Sequence, residues 1–158
     1  TSYSEIPEMM NGITDISSIY YGQLQKAVRG IAIVDNQYIT IRDEIETPGN
    51  DAVIRWNLLT SAEVMIAGNN SAVLHKNGKK LTIKVTEPSG IKMKTWSTTP
   101  THSYDAANPG TIMVGFEVKI PSNTKAVLNV LLLPEGAAEN VSVTGKNLDN
   151  WPQTSGNK

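Results

Sequence analysis

Three β-type runs in succession, Val28–Asp35, Tyr38–Glu46 and Ala52–Leu59, constrain this chain more than any other part of it. Asn36-Gln37 separates the first two and Pro48-Gly49-Asn50-Asp51 the last two, so the runs form a meander. Side chains alternate along a strand. In Tyr38–Glu46 this puts Ile39, Ile41 and Ile45 on one face and Tyr38, Thr40, Arg42, Glu44 and Glu46 on the other. Asp43 interrupts the apolar face, and a carboxylate there needs a partner or an edge position. A two-residue loop sets Arg29 opposite Glu44; a three-residue loop ending at Tyr38 sets it diagonal to Asp43. In either register Arg29 is expected to pair with an acid across the hairpin.

The same grammar continues downstream. Ile54, Trp56 and Leu58 share a face, which makes Trp56 a core residue. Ala62–Ala67 follows almost at once, so a bulge or a change of sheet is expected near Thr60-Ser61. Asn77-Gly78 supplies the positive φ angles of a tight hairpin turn between Ala72–Lys76 and Lys80–Thr86. Ile91–Ser97 alternates and Thr111–Ile120 is a strong strand. Ala126–Leu133, apolar on both faces, is expected to be central in its sheet. Val141–Val143 adds a short edge strand. The expected fold is all-β, an antiparallel β-sandwich of roughly nine or ten short strands in a single domain over 1–158. Residues 1–27 read as an irregular lead-in, either a short turn of helix near Ser4–Gly12 or a strand ending near Ile16. The segment starts abruptly, as a piece of a longer chain would. Residues 145–158 read as a loose tail in which Trp151 docks onto the sheet.

A length of 158 residues is enough for a core without staples. A net charge of −1 gives no field to draw nucleic acid or an anionic membrane, so neither is expected as a partner. No apolar run approaches the roughly 20 residues that span a bilayer. The absence of cysteine excludes disulfides, thiolate nucleophiles and Cys-ligated metals. There is no glycine-rich phosphate loop, no Gly-x-Ser-x-Gly elbow and no His-Glu-x-x-His pair. No cofactor, metal site or catalytic residue is assigned.

Candidate binding residues cluster around the longest irregular stretch, Thr98–Gly110. Long loops in a β-protein carry function more often than short ones. Trp96 shares parity with Lys92 and Lys94, so it points away from Ile91 and Met93. An outward Trp beside a loop with His102 and Tyr104 suits a sugar-stacking platform; the bland alternative is a Trp covered by the loop or by another domain. His102, Tyr104 and Asp105 also offer acid–base groups, against the plainer reading of a loop packed by its own side chains. His75 reads as an exposed hairpin residue. Lys76, Lys79, Lys80, Lys84, Lys92 and Lys94 form either a basic stripe for an acidic polysaccharide or a solvated, edge-guarding face.

Ile16–Ile45, with Tyr20-Tyr21, Ala27–Asp35 and Tyr38–Ile45 in order, resembles the C-terminal β-part of heparinase II/III-like polysaccharide lyases. Arg55-Trp56-Asn57 before the Ala62–Ala67 strand and Ala126–Pro134 with its closing Leu-Leu-Leu-Pro add to the likeness. In that family a tyrosine precedes an Arg-x-apolar strand and the next strand ends in apolar-x-Asp; the matching positions are Tyr20 or Tyr21, Arg29 and Asp43. The resemblance covers residues 13–134. It implies an α-toroid followed by β-sandwich layers, with this chain as the tail of those layers. It also implies a bacterial, periplasmic or extracellular parent that cleaves uronic-acid polysaccharides by β-elimination, with Tyr and His as acid and base. Its catalytic residues lie upstream, so none is carried over. The implied partners are the upstream catalytic domain and an acidic polysaccharide. A free-standing carbohydrate-binding module using Trp96, His102 and Tyr104 is the alternative, and a small enzyme centred on Thr98–Gly110 the third reading.

Overall fold

A computed structural model describes residues 1–137, 141 and 145–154. The strands among them are β1 (Ser2–Ser4), β2 (Met9–Asp15), β3 (Lys26–Val34), β4 (Tyr38–Glu46), β5 (Ala52–Thr60) and β6 (Glu63–Ile66). After them come β7 (Ser71–Lys76), β8 (Lys79–Glu87), β9 (Lys94–Ser97), β10 (Ile112–Ile120) and β11 (Lys125–Pro134). They form two antiparallel sheets, an eight-stranded one in the order β1-β2-β3-β4-β11-β8-β7-β6 and a three-stranded one in the order β5-β10-β9. The all-β sandwich expected from alternation is therefore present. So is the change of sheet at Thr60-Ser61, since β5 and β6 belong to different sheets; the expected three-run meander stops after β4, because β5 pairs with β10 in the small sheet and not with β4. β11 is central, between β4 and β8.

The β3–β4 hairpin fixes the register that the sequence left open. Asp35 and Asn36 adopt positive φ (49° and 54°), and Val34 pairs with Tyr38 across a three-residue loop. Arg29 then stands directly opposite Asp43 rather than diagonal to it. Between the sheets lies the main core, built around Trp56, Phe116, Ile83, Leu128 and Val130.

A second apolar cluster covers the opposite face of the larger sheet: Ile13, Ala32, Val34, Tyr38, Leu131 and Leu133, closed by Leu148 and Trp151. Two expectations are corrected. Residues 145–154 are not loose: Leu148 and Trp151 are buried, and a strap forms around the 3-10 turn Leu148–Asn150. The docking of Trp151 holds. The lead-in is not irregular but takes the strand alternative: β2 ends at Asp15, β1 and β2 extend the larger sheet, and Asn11-Gly12 sits inside a strand instead of ending a helical turn. On the face of β4 opposite Ile39 and Ile41, Tyr38, Thr40 and Arg42 are buried as well. Polar groups secure the strap. The Leu148 amide donates to Glu44 Oε1 at 2.8 Å, Arg42 Nη2 to Asn147 Oδ1 at 3.2 Å and Asn11 Nδ2 to the Pro152 carbonyl at 2.9 Å. The strand expected at 141–143 falls mostly outside the described residues.

Candidate functional site

The outer face of the small sheet carries Trp96. On β10, Val114 and Phe116 are fully buried, so Met113, Gly115, Glu117 and Lys119 point outward. Trp96 pairs with Met113, Lys94 with Gly115 and Arg55 with Glu117, which gathers Trp96, Lys94, Arg55 and Glu117 on that face. The Arg55 guanidinium lies 4.8 Å and Lys94 Nζ 5.0 Å from the Trp96 ring centroid, within cation–π range. Both cations also bind one carboxylate: Arg55 Nη2 meets Glu117 Oε1 at 2.7 Å and Lys94 meets Oε2. The hydrogen bond from Lys94, and then that from Arg55, hold the Glu117 carboxyl below its ordinary range. Two cations against one anion leave this patch with one unbalanced positive charge. Trp96 points outward as expected, but it is half-buried and flanked by cations rather than bare.

The loop between β9 and β10 is irregular over Thr98–Gly110, as expected. Asp105 closes it: Oδ2 accepts from the His102 amide at 2.9 Å, the Thr101 amide at 3.0 Å and Thr101 Oγ1 at 3.1 Å. The amide bonds, that from Thr101 first, keep this carboxyl below its usual range. Asp105 is thus engaged in shaping the loop. The His102 and Tyr104 rings stack at 4.9 Å with planes 10° apart, and Tyr104 is 81% exposed. Among the described residues no ring pair joins either to Trp96. Trp96 with its two cations and the His102–Tyr104 stack are thus two aromatic features of this region.

The basic stripe is divided. Lys84 stands beside Leu131 on the strap side of the larger sheet, while Lys94 belongs to the outer face of the small one. His75 is exposed. Among the described residues no group of three His, Cys, Asp or Glu could hold a metal ion, and no helix is long and apolar enough to cross a membrane.

Sequence reasoning did not find a groove of about 370 Å³ between the sheets along β5. Tyr20, Leu24, Arg29, Asp43, Val53 and Trp56 are among its walls. Arg29 Nε and Nη2 donate to the two Asp43 oxygens at 2.6 and 2.8 Å, the two-pronged geometry that suits guanidinium and carboxylate. That hydrogen-bonded pairing raises the Arg29 pKa further, and nearby Tyr20 adds to the effect. Of the two tyrosines left open by the sequence, Tyr20 lines the groove while Tyr21 is 92% exposed. Trp56 stacks on Phe116 at 5.9 Å, and its buried Nε1 has no acceptor among the described residues. The available signal was the pairing of Arg29 with Asp43, which reads from sequence only as a hairpin clamp.

No family model matches the chain, and no curated protein sequence does. Solved structures do. Heparinase III matches with a TM-score of 0.65 at 14% identity, over 87% of this chain and 21% of that one. Heparan sulfate lyase HepC from Pedobacter heparinus matches with a TM-score of 0.64 at 12% identity, over 84% of this chain and 21% of that one. A further heparinase III gene product gives 0.62 at 18% identity, over 87% and 21%. The fold is that of a β-sandwich part of heparinase III-type lyases, as the sequence resemblance implied. The chain spans about 21% of the length of these matched proteins.

Proposed function

We propose that this chain is a non-catalytic β-sandwich portion of a heparinase II/III-like polysaccharide lyase, supporting the catalytic region and contacting an acidic glycan. The observation that carries the proposal is the fold match over 87% of the chain to about 21% of a heparinase III. The glycan contact rests on the Trp96 face. An aromatic surface beside Arg55 and Lys94, with one net positive charge, suits a sugar bearing a carboxylate or sulfate. The upstream catalytic domain is the implied partner, and a periplasmic or extracellular setting, where large polymers are met, goes with it.

Affinity electrophoresis of the 158-residue protein against acidic and neutral polysaccharides tests this, with Trp96→Ala and Arg55→Ala beside it. Retardation by acidic polymers only, lost in both variants, is the expected result. A folded protein unretarded by any polymer would remove the glycan contact and leave a purely supporting role. The exposed His102–Tyr104 stack favours a second reading, a free-standing carbohydrate-binding module. Under that reading, which uses Trp96, His102 and Tyr104, retention is lost in Tyr104→Ala as well as in Trp96→Ala.

A further inference from the structure

Four strands lie at sheet edges: β1 and β6 in the larger sheet, β5 and β9 in the smaller. Three are blunted by shortness, with three, four and four residues in β1, β6 and β9. β5 is nine residues long, pairs with β10 without a break in register, and contains neither Pro nor Lys. Such an edge presents a row of unpaired N–H and C=O groups that proteins ordinarily guard.

Beside this edge the inner face of the larger sheet is uncovered. Ile31 and Ile33 stand opposite Ile41 and Ile39, on the face that carries the main core, yet they are 46% and 39% exposed. Tyr3 continues the stripe: it stands opposite Gly12, which stands opposite Ile31, and it is 56% exposed. The groove lies along β5, and its buried Trp56 Nε1 lacks an acceptor.

We infer that β5 receives a further β-strand from another part of the protein's own longer chain, laid over the groove and the Ile31–Ile33 stripe as the fourth strand of the small sheet. This rests on reading the chain as part of a longer lyase. Strands in a sheet lie about 4.8 Å apart and packed sheets about 10 Å apart, so the next strand beyond β5 runs over the uncovered surface. Its alternate residues are apolar and meet Ile31 and Ile33, and one of its polar groups accepts from Trp56 Nε1. Main-chain bonds to β5 supply affinity and the groove supplies specificity. A second copy of this chain fits badly. Antiparallel β5–β5 pairing has its twofold axis perpendicular to the sheet. Both larger sheets would fall on the same side, and their projecting β1–β3 portions would compete for one space.

Amide hydrogen exchange tests the inference, comparing residues 52–60 in the 158-residue protein and in the full natural chain, with the Ile31→Lys/Ile33→Lys double variant of each. Outward-facing β5 amides should exchange at least about 100-fold more slowly in the full chain. The double variant should abolish that difference while leaving the melting temperature of the 158-residue protein unchanged. Equal exchange in both chains would overturn the inference. So would protection in the 158-residue protein that rises with concentration, the sign of a second copy, or a natural chain with no further sequence. Protected β5 in a full chain without lyase activity would instead refute the lyase reading and keep the strand.

Discussion

Gly30 is the position where the strap and the larger sheet touch most closely. A Cβ built there would lie 2.3 Å from Leu148 Cδ2 and 2.9 Å from Trp151 Cζ3. Gly30→Ala must therefore move the strap. Leu148 Cδ2 ends a flexible side chain and can partly rotate; the indole, itself buried, has less freedom. Overpacking of this kind costs about 1–3 kcal/mol, offset by up to about 1 kcal/mol from replacing glycine inside a strand. With a urea m-value of about 2 kcal/mol/M, the unfolding midpoint followed by tryptophan fluorescence should fall, by up to about 1.5 M. The Leu148→Ala background locates the cause. That variant alone loses about 2–5 kcal/mol, but it removes the 2.3 Å clash and leaves only the 2.9 Å approach to Trp151, so adding Gly30→Ala should then cost about 1 kcal/mol less than in the parent protein. A coupling of about 1 kcal/mol or more is expected for residues in contact. If Gly30→Ala costs the same in both backgrounds, the strap contact is not what glycine serves here.

Two further predictions concern single groups. Glu117 has its carboxyl pKa lowered in the folded chain from the usual 4.5 by Lys94 and Arg55. Its contribution to stability is therefore complete above pH 4.5 and lost as pH falls through the lower folded value; NMR titration should show its midpoint below 4.5 and moving upward in Lys94→Ala. Thr47 is fully buried, donates to the Pro121 carbonyl at 2.6 Å and accepts from the Thr124 amide at 3.0 Å. Thr47→Val should cost about 1–3 kcal/mol in urea unfolding because it strands both partners.

The sandwich was legible because the alternation in β4, β5, β8 and β10 is long and regular and because β11 is apolar on both faces. Trp56 was legible because Ile54 and Leu58 flank it with the same parity. The strap was not. Leu148 and Trp151 stand three apart in a polar segment, with no strand-like alternation, and their burial depends on a surface formed by β2, β3, β4 and β11. Without the strap, the Tyr38–Thr40–Arg42 face of β4 looks solvent-bound, although it is buried. Gly30, inside a strand, was the one local hint of a close approach. The Trp96 site was half legible. Parity sent the ring outward, but Arg55 reaches it only because β5 and β9 flank the same strand, β10. The groove was illegible because it lies between sheets.

The Arg29–Asp43 pair joins the hairpin to the groove, and its two members are unequally placed. The Asp43 side chain is 7% exposed and that of Arg29 42%. Removing Arg29 leaves a buried carboxylate without its cation, whereas Asp43→Asn leaves a neutral acceptor facing a guanidinium that water can reach. Breaking a fully buried pair costs about 3–5 kcal/mol. Here the groove admits water to one side, so Arg29→Ala should cost about 2 kcal/mol and Asp43→Asn about 1 kcal/mol. The inferred strand alters this ordering in a definite direction. By covering the groove it removes the water that relieves Asp43, so Arg29→Ala should destabilise the full chain more than the 158-residue protein, by about 1 kcal/mol or more in matched unfolding measurements. An equal cost in the two would mean that the groove is open to solvent in both. The pair would then serve only to hold β3 against β4, and β5 would remain the edge of its sheet.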